Sequence, residues 1–317
     1  MRRNKKRETT ILLVLASVTA FLLCIGCISA RTGYLFKNKT HLKNTPVVLS
    51  TNWKIDGKTV TLPFSTKGVN EVVITHTVTA DEAEKTILLV EHNHQNMMVV
   101  LDGKVIYQLG AVNDRRASSM YGSVAIEVNL KEGSELGIMY FGLNGRECEV
   151  VPSLLGPDSE ILTYLIRNDA VTFILILYIV FILLTVSAIY AYSKYRKVAE
   201  TYLGWLILFL IAVGLWMFTG VKIVSIITEE PFLTNYCSYM LLMSIPCFFA
   251  MYTYNRCTEW NTEWLKKLAW IGVANIAIQN LFYVFNVFSL YDMMSATQLI
   301  LMGSVTVCVY TFYRDSR

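Results

Sequence analysis

Charged residues are scarce in this chain of 317 residues: they make up 16% of it, whereas hydrophobic residues make up 54%. A soluble protein usually carries about 25% charged residues. The deficit lies in the second half, where apolar runs recur, and this pattern indicates an integral membrane protein. The net charge of +4 sits in the N-terminal tip and beside apolar runs, so it points to membrane topology and not to a nucleic-acid partner.

Ionisable residues are absent from the centres of these apolar runs. Such residues form proton relays and ion pathways inside membranes, so their absence argues against a pump or a proton-coupled transporter. The sequence also lacks a glycine-rich phosphate loop, a nucleophile elbow and an HExxH motif. We therefore expect no enzymatic activity and no cofactor.

Cysteine is sparse where a disulfide would matter. Of the seven cysteines, only Cys148 falls in the polar segment between the first apolar run and residue 158. That segment therefore cannot form an internal disulfide. The other cysteines lie in or beside apolar runs, where cysteine behaves as a small hydrophobic residue.

Short strand patterns fill this polar segment. Hydrophobic residues alternate from Val124 to Leu130, which is typical of a half-buried strand. Met97–Leu101 and Lys104–Gln108 flank Asp102-Gly103, a strong hairpin signal. At least seven such strands with turn signals predict an all-β sandwich or jelly roll over residues 33–165.

The first 32 residues combine a basic tip, Met1–Glu8, with the apolar run Thr9–Ala30. We interpret them as a cytoplasmic tip and an uncleaved transmembrane anchor, because the run is longer than the core of a secretory signal peptide. A cleaved signal peptide is the alternative. In either case we expect residues 33–165 to be extracytoplasmic.

Residues 166–317 are predicted to form a helical transmembrane bundle of about five spans. Pro246 should kink the third of them. With the tip in the cytoplasm, eight basic residues fall in cytoplasmic connections and one, Lys222, falls outside. This bias follows the positive-inside rule. The spans are Val171–Tyr192, Tyr202–Gly220, Tyr236–Tyr254, Leu268–Phe288 and Met294–Phe312. The cytoplasmic basic residues are Lys194, Arg196, Lys197, Arg256, Lys266, Lys267, Arg314 and Arg317.

Candidate ligand-binding residues in the extracytoplasmic domain lie near strand ends and loops, where binding residues concentrate. They are His92, His94, Arg115, Arg116 and Tyr121. The pair His92 and His94 ends a strand pattern, so both rings are predicted on one face. A metal there would need a third ligand that the spacing does not supply. His76 lies on an apolar face, and we expect it to be a hydrogen-bonded core histidine.

The strongest polar cluster in the apolar half comprises Asn275, Gln279 and Asn280. Asn275 and Gln279 are four residues apart and therefore share a helical face. The favoured interpretation is hydrogen bonding between helices, worth about 0.6 kcal/mol per contact. The alternative is a ligand or coupling site within the bundle.

The order of these parts resembles the input half of bacterial seven-transmembrane receptors with diverse intracellular signalling modules, in particular the Gram-positive GGDEF diguanylate cyclase receptors. The resemblance covers nearly the whole chain, and its specificity lies in the order of the motifs. They are Trp53-Lys-Ile-Asp-Gly57 leading to Leu62-Pro63, Val99-Val-Leu-Asp-Gly-Lys-Val-Ile-Tyr107, Pro152-Ser-Leu-Leu-Gly156, Glu200-Thr-Tyr-Leu-Gly204 with Trp216, and Met243-Ser-Ile-Pro246.

The resemblance implies a galactose-binding-like jelly roll with a small-molecule or carbohydrate ligand. It also implies seven helices after the exported domain, whereas we predict five. In the family a cytoplasmic output domain follows the helices, and the sequence to Arg317 contains no motif of such a domain. We therefore expect the sensor half of a receptor, embedded in the lipid bilayer, with a second copy of the chain as a candidate partner. The alternative is a non-sensory binding or assembly protein whose β-domain docks an exported protein.

Overall fold

The computed structural model describes residues 45–110, 121–141, 147–197, 200–228, 231–257 and 262–315. The predicted anchor, residues 1–32, and the candidate residues Arg115 and Arg116 lie outside these ranges. The first part of the described chain consists of strands with one short helix, α1 (Ala80–Ala83). The strands are β1 (Val47–Leu49), β2 (Trp53–Ile55), β3 (Lys58–Val60), β4 (Phe64–Thr66), β5 (Glu71–Thr77), β6 (Ile87–Asn93), β7 (Asn96–Leu101), β8 (Lys104–Leu109), β9 (Tyr121–Glu127), β10 (Glu135–Phe141), β11 (Cys148–Val150) and β12 (Ser153–Gly156).

These strands form two larger antiparallel sheets and one short pair. One larger sheet has the order β1-β12-β6-β9 and the other β3-β2-β5-β10-β7-β8, while β11 pairs with β4. Side chains from both larger sheets meet in one core, for example Leu88 and Val124 from the first and Ile74 and Ile138 from the second. Two sheets that share a core form a sandwich, as the sequence predicted, and we call this part the sheet domain.

The hairpin predicted at Asp102-Gly103 is present, with Leu101 opposite Lys104. Asp102 has φ 50° and Gly103 has φ 78°. Positive φ at both central residues is the type I′ geometry that matches the twist of the flanking strands. The Asp102 carboxylate also accepts hydrogen bonds from Ser134 Oγ and from the Glu135 N–H, both at 2.8 Å. These bonds tie the hairpin to the turn before β10.

One predicted strand is too long. The alternation pattern predicted a strand through Leu130, but β9 ends at Glu127. Val128 and Leu130 are nevertheless buried in the core. The Val128 N–H donates to the Thr86 carbonyl at 2.8 Å, so backbone hydrogen bonding outside the ladder holds this segment against the sandwich.

The second part of the chain is helical. Helix α5 is central, because it contacts α3, α6 and α7, while α2 contacts α3. Pro246 lies inside α5, as predicted, and the helix continues through it. The helices are α2 (Asp158–Tyr195), α3 (Thr201–Thr219), α4 (Lys222–Ile227), α5 (Pro231–Arg256), α6 (Glu263–Val284) and α7 (Met294–Asp315).

Four helices of the described ranges are long and apolar enough to cross a membrane. They are α2, α3, the part of α5 from Phe232 to Arg256, and α7. The predicted span Leu268–Phe288 corresponds to α6, which begins at Glu263, ends at Val284 and is not among these four helices. Charged residues at its start and the amides Asn275, Gln279 and Asn280 lower its apolar character.

Helix α2 also crosses the domain boundary expected at residues 165 and 166. It starts at Asp158, directly after β12, and runs for 38 residues. Its first turns are helical although they carry polar residues, because Ile161 and Leu165 are buried against the sheet domain. The transition from sheet to helix is therefore direct.

Candidate functional site at the junction of sheet domain and helices

The four-stranded sheet is buried on both of its faces. Leu88 and Val90 of β6 point into the sandwich core. Leu89, between them, points to the opposite face and packs in a separate cluster with Ile161 and Leu165 of α2. Ile223 and Ile226 of α4 pack against the same cluster, as does Leu154 of β12. The run of consecutive hydrophobic residues in β6 is thus explained by helices that cover the outer face of the sheet.

Polar contacts cross this junction beside the apolar cluster. Lys222 Nζ at the start of α4 pairs with Glu91 Oε1 of β6 at 2.5 Å, across a separation of 131 residues in sequence. Ser225 Oγ donates to the Lys222 carbonyl of its own helix at 2.7 Å and also lies 3.2 Å from the Ser123 carbonyl of β9. The Asp169 carboxylate of α2 accepts hydrogen bonds from the backbone N–H groups of Lys222 and Ile223. Lys222 therefore connects one carboxylate in the sheet domain with another in α2.

The two candidate histidines occupy different environments. His92 lies in β6, is 2% exposed and faces Gly122 of β9 across the ladder. β6 ends at Asn93, and His94 has φ 57°. The prediction that both rings share one face was wrong in its premise, because strand alternation does not extend to His94. The His94 ring instead stacks on the ring of Tyr291, with centroids 3.8 Å apart.

Gly122 of β9 lies where the sheet approaches α4. A Cβ atom at this position would lie 3.4 Å from Ser225 Oγ and 3.6 Å from His92 Nε2, which are ordinary van der Waals distances. The strand, α4 and the buried imidazole are therefore close neighbours at this point.

A cavity of about 340 Å³ opens between the sheet domain and the helices. The sheet domain contributes Asn93 and His94, and the segment between α6 and α7 contributes Tyr291. The remaining lining residues come from α3, α5 and α7. They are Trp216 on α3; Asn235, Ser238, Tyr239 and Leu242 on α5; and Met294 and Gln298 on α7. Of the predicted ligand-binding residues, the structure brings His94 to this cavity.

The connections between the helices lie at two opposite ends of the helical part. Lys222 and Tyr291 contact the sheet domain, so the connections that hold them lie at its end. At the opposite end, Thr201 Oγ1 lies 3.4 Å from Asn255 Oδ1 and the Arg256 guanidinium lies 5.3 Å from the Tyr202 ring centroid. The described ends of α3 and α5 that border the connections predicted to be cytoplasmic are therefore adjacent to each other, and they lie away from the sheet domain.

The amide cluster of α6 makes hydrogen bonds to two neighbouring helices. Gln279 Nε2 donates to Asn275 Oδ1 and to Thr297 Oγ1 of α7, both at 2.9 Å. Asn280 Oδ1 accepts a hydrogen bond from the Tyr236 hydroxyl of α5 at 2.6 Å. Asn275 and Gln279 do share a helical face, and the cluster links α6 to both α5 and α7. Such bonds are what the packing interpretation predicts.

The sheet domain has a second, open cleft at another position. Its volume is about 550 Å³, and its lining includes Asn52, Lys54, Thr79 and Glu132. The cleft lies between β2, the end of β5 and the turn before β10. Tyr121, another predicted binding residue, is the first residue of β9 and pairs with Asn93.

His76 is a hydrogen-bonded core histidine, as predicted. Its Nε2 lies 3.0 Å from Glu82 Oε2, which also accepts the Thr79 N–H at 2.8 Å. Burial raises the pKa of Glu82, but the hydrogen bonds from Thr79 and His76 and the charge of His76 outweigh it, so the net pKa is below its ordinary value. The pair fastens α1 to β5.

Two further observations concern reactive groups. Burial raises the pKa of the Cys148 thiol to about 11, and a thiol in that state is unreactive at neutral pH. Within the described ranges, no group of three or more His, Cys, Asp or Glu side chains is arranged to hold a metal ion.

Sequence patterns missed Glu91, Lys222 and Ser225 as contacts between the two parts. One signal was present, because Lys222 was the only basic residue predicted on the outer side of the bundle. A lone cation beside apolar spans needs a carboxylate partner when it is partly buried. The sequence alone did not identify Glu91 as that partner.

Over the ranges that the structure describes, a β-sandwich is followed by helices, four of which are long and apolar enough to span a membrane. No protein-family model and no curated protein matches this chain. Among solved structures it is similar to a family 35 carbohydrate-binding module from Clostridium thermocellum, at 15% identity and a TM-score of 0.20. That match covers 35% of this chain and 95% of the module.

Proposed function

We propose that this chain is the sensory part of a bacterial plasma-membrane receptor. The sheet domain lies outside the cell. A small molecule or carbohydrate binds to the sensory part, and the helices transmit the resulting change in packing to the cytoplasmic side. An output domain of the diguanylate cyclase type, as the family resemblance implies, would respond to the positions of the helix ends. The chain itself performs no catalysis in this proposal.

The observation that carries the proposal is the continuity of α2 with the sheet domain. Ile161 and Leu165 at its start are packed on the outer face of the four-stranded sheet. The helix continues to Tyr195, and its full length of 38 residues corresponds to about 57 Å at 1.5 Å per residue. A change in how the sheet sits on the first turns would tilt or shift the far end, because a helix is stiff over this distance.

Membrane embedding is supported by the surface of α2. Leu177, Phe181 and Leu184 are 68%, 66% and 65% exposed. A band of large exposed apolar side chains on a helix of this length is unfavourable in water and favourable in lipid. The basic residues Lys194, Arg196 and Arg256 belong to the end away from the sheet domain, which supports an extracytoplasmic sheet domain by the positive-inside rule.

The test uses the full chain in lipid nanodiscs. Sugars and cell-wall fragments are screened for a shift of the thermal unfolding midpoint. Spin labels at Tyr195→Cys and Tyr313→Cys, in a background with the native cysteines replaced, then report the distance between the far ends of α2 and α7. A solute that raises the midpoint and changes this distance supports the proposal.

The other outcomes separate the alternatives. Stabilisation with an unchanged distance would indicate a binding protein that does not signal. Stoichiometric capture of an exported protein, with no response to any solute, would favour the non-sensory assembly protein. To act as a signal, a ligand must bind one packing state better than the other. If no solute changes the unfolding midpoint or the label distance and no protein partner is captured, the sensor proposal is refuted.

A further inference from the structure

We propose that the junction cavity is the ligand site, and that it takes a neutral, single-ring solute that carries hydroxyl or amide groups. The inference rests on the proposed receptor function and gives its ligand a place and a chemical class. It differs from the sequence-based expectation, which placed the ligand on strand ends and loops of the sheet domain.

The size of the cavity fits such a solute. Its volume of about 340 Å³ falls within the range of about 300–1,000 Å³ of small-molecule sites. An engineered cavity of about 150 Å³ holds one benzene molecule. The junction cavity therefore has room for one six-membered ring with several substituents.

The lining determines the charge of the occupant. Trp216, Tyr239 and Tyr291 offer aromatic surface, while Ser238 and Gln298 offer neutral donors and acceptors. Among the described residues that line the cavity, none carries a carboxylate, an ammonium or a guanidinium group, and the face of the His94 imidazole is already covered by the Tyr291 ring. A charged solute would lose hydration without meeting an opposite charge, which is costly. An acyl chain would form no hydrogen bond with Ser238 or Gln298.

The cavity lies between the sheet domain and the helices, so a bound solute would affect how these two parts pack together. An occupant would touch the sheet domain at Asn93 and His94 and the helices α3, α5 and α7 at once. The stacked pair of His94 and Tyr291 forms part of its wall. A solute that contacts both parts stabilises one arrangement of the junction over others, which is the condition for shifting a conformational equilibrium.

The lining of the open cleft in the sheet domain differs in charge from the lining of the cavity. It includes Lys54 and Glu132 in its lining, so it is suited to solutes with charge. The two sites therefore differ in the ligand chemistry they favour, and in their distance from the helices.

The experiment compares three probes that share one ring and differ in charge: N-acetylglucosamine, glucosamine and glucuronate. Binding to the full chain in nanodiscs is measured by titration calorimetry near neutral pH. We expect N-acetylglucosamine to bind at least about tenfold more tightly than either charged sugar, because the wall lacks compensating charge. Failure of N-acetylglucosamine to bind, or equal binding of all three probes, overturns the proposal.

Two variants locate the site. Ser238→Leu fills the cavity and should weaken N-acetylglucosamine binding by at least about tenfold, and Gln298→Ala should weaken it less, because one hydrogen bond is worth about 1 kcal/mol. Lys54→Ala, in the other cleft, should bind like the wild type. Each variant is first shown to unfold at the wild-type temperature. Loss of binding in Lys54→Ala with retention in Ser238→Leu would place the site in the sheet domain and overturn the inference.

The spin-label distance separates this inference from the receptor function. Binding that Ser238→Leu abolishes, without any change in the distance between labels at residues 195 and 313, leaves the site standing and refutes signalling. A solute that changes the distance equally in Ser238→Leu and in the wild type refutes the cavity and leaves the receptor function standing.

Discussion

The ion pair between Lys222 and Glu91 provides the sharpest test of the junction. Their side chains are 16% and 28% exposed, so the pair lies between an exposed pair, worth about 0–1 kcal/mol, and a fully buried one, whose disruption costs about 3–5 kcal/mol. The charge of Lys222 also interacts favourably with the Asp169 carboxylate. Replacing it leaves two carboxylates without their cation, whereas replacing Glu91 leaves the Lys222–Asp169 interaction in place.

We therefore expect unequal effects. Lys222→Met should destabilise the junction by about 2 kcal/mol and Glu91→Gln by about 1 kcal/mol, with a double variant less affected than the sum. Local opening is measured by hydrogen exchange of backbone amides in β6, β9 and α4 of the full chain in nanodiscs. A loss of about 2 kcal/mol corresponds to exchange that is about 30-fold faster.

The control is Lys104→Met, since Lys104 is an exposed lysine in β8. It should leave exchange at the junction unchanged. Two results would refute the reasoning. One is exchange in Lys222→Met that matches the control, and the other is a double variant whose effect equals the sum of the single effects, because contacting residues should not be additive.

Three further perturbations test other parts of the fold. Glu82→Gln should destabilise the sheet domain at neutral pH but not in acid. The pKa of Glu82 is lower in the folded protein than its ordinary value of 4.5, so the ionised carboxylate stabilises the fold above pH 4.5. This contribution disappears as the pH falls through the folded-state pKa. Gly272→Ala should cost about 1–3 kcal/mol, because its Cβ atom would overlap Cys247 Sγ where α5 meets α6. Gln279→Leu should cost about 1 kcal/mol through the loss of two hydrogen bonds.

These perturbations have their own measurements and controls. For Glu82→Gln, thermal midpoints are recorded from pH 7 to pH 3, and a difference from the wild type that persists at pH 3 contradicts the assignment. Gly303→Ala is the matched control for Gly272→Ala, because nothing lies within 4 Å of its added Cβ atom. Gln279→Leu is followed by denaturant unfolding in micelles, and proteoliposome uptake abolished by this change would instead support a coupling site in the bundle.

Local features of this protein follow from its sequence alone. The Asp102-Gly103 hairpin forms because both turn residues accept positive φ and lie between two apolar runs, and these are properties of near neighbours. The division into a strand-rich half and an apolar helical half follows from composition and periodicity. The shared helical face of Asn275 and Gln279 follows from the helical repeat of 3.6 residues.

Other features were decided only by the tertiary structure. Leu89 is buried although it points away from the sandwich core, because α2 and α4 cover the outer face of its sheet. The partner of Lys222 lies 131 residues away, and the ring that His94 stacks on belongs to the segment between α6 and α7. Sequence patterns report a residue's neighbours within a few positions, whereas these contacts depend on how the sheet domain and the helices pack against each other. The junction cavity exists only after that docking, so no local pattern could predict it.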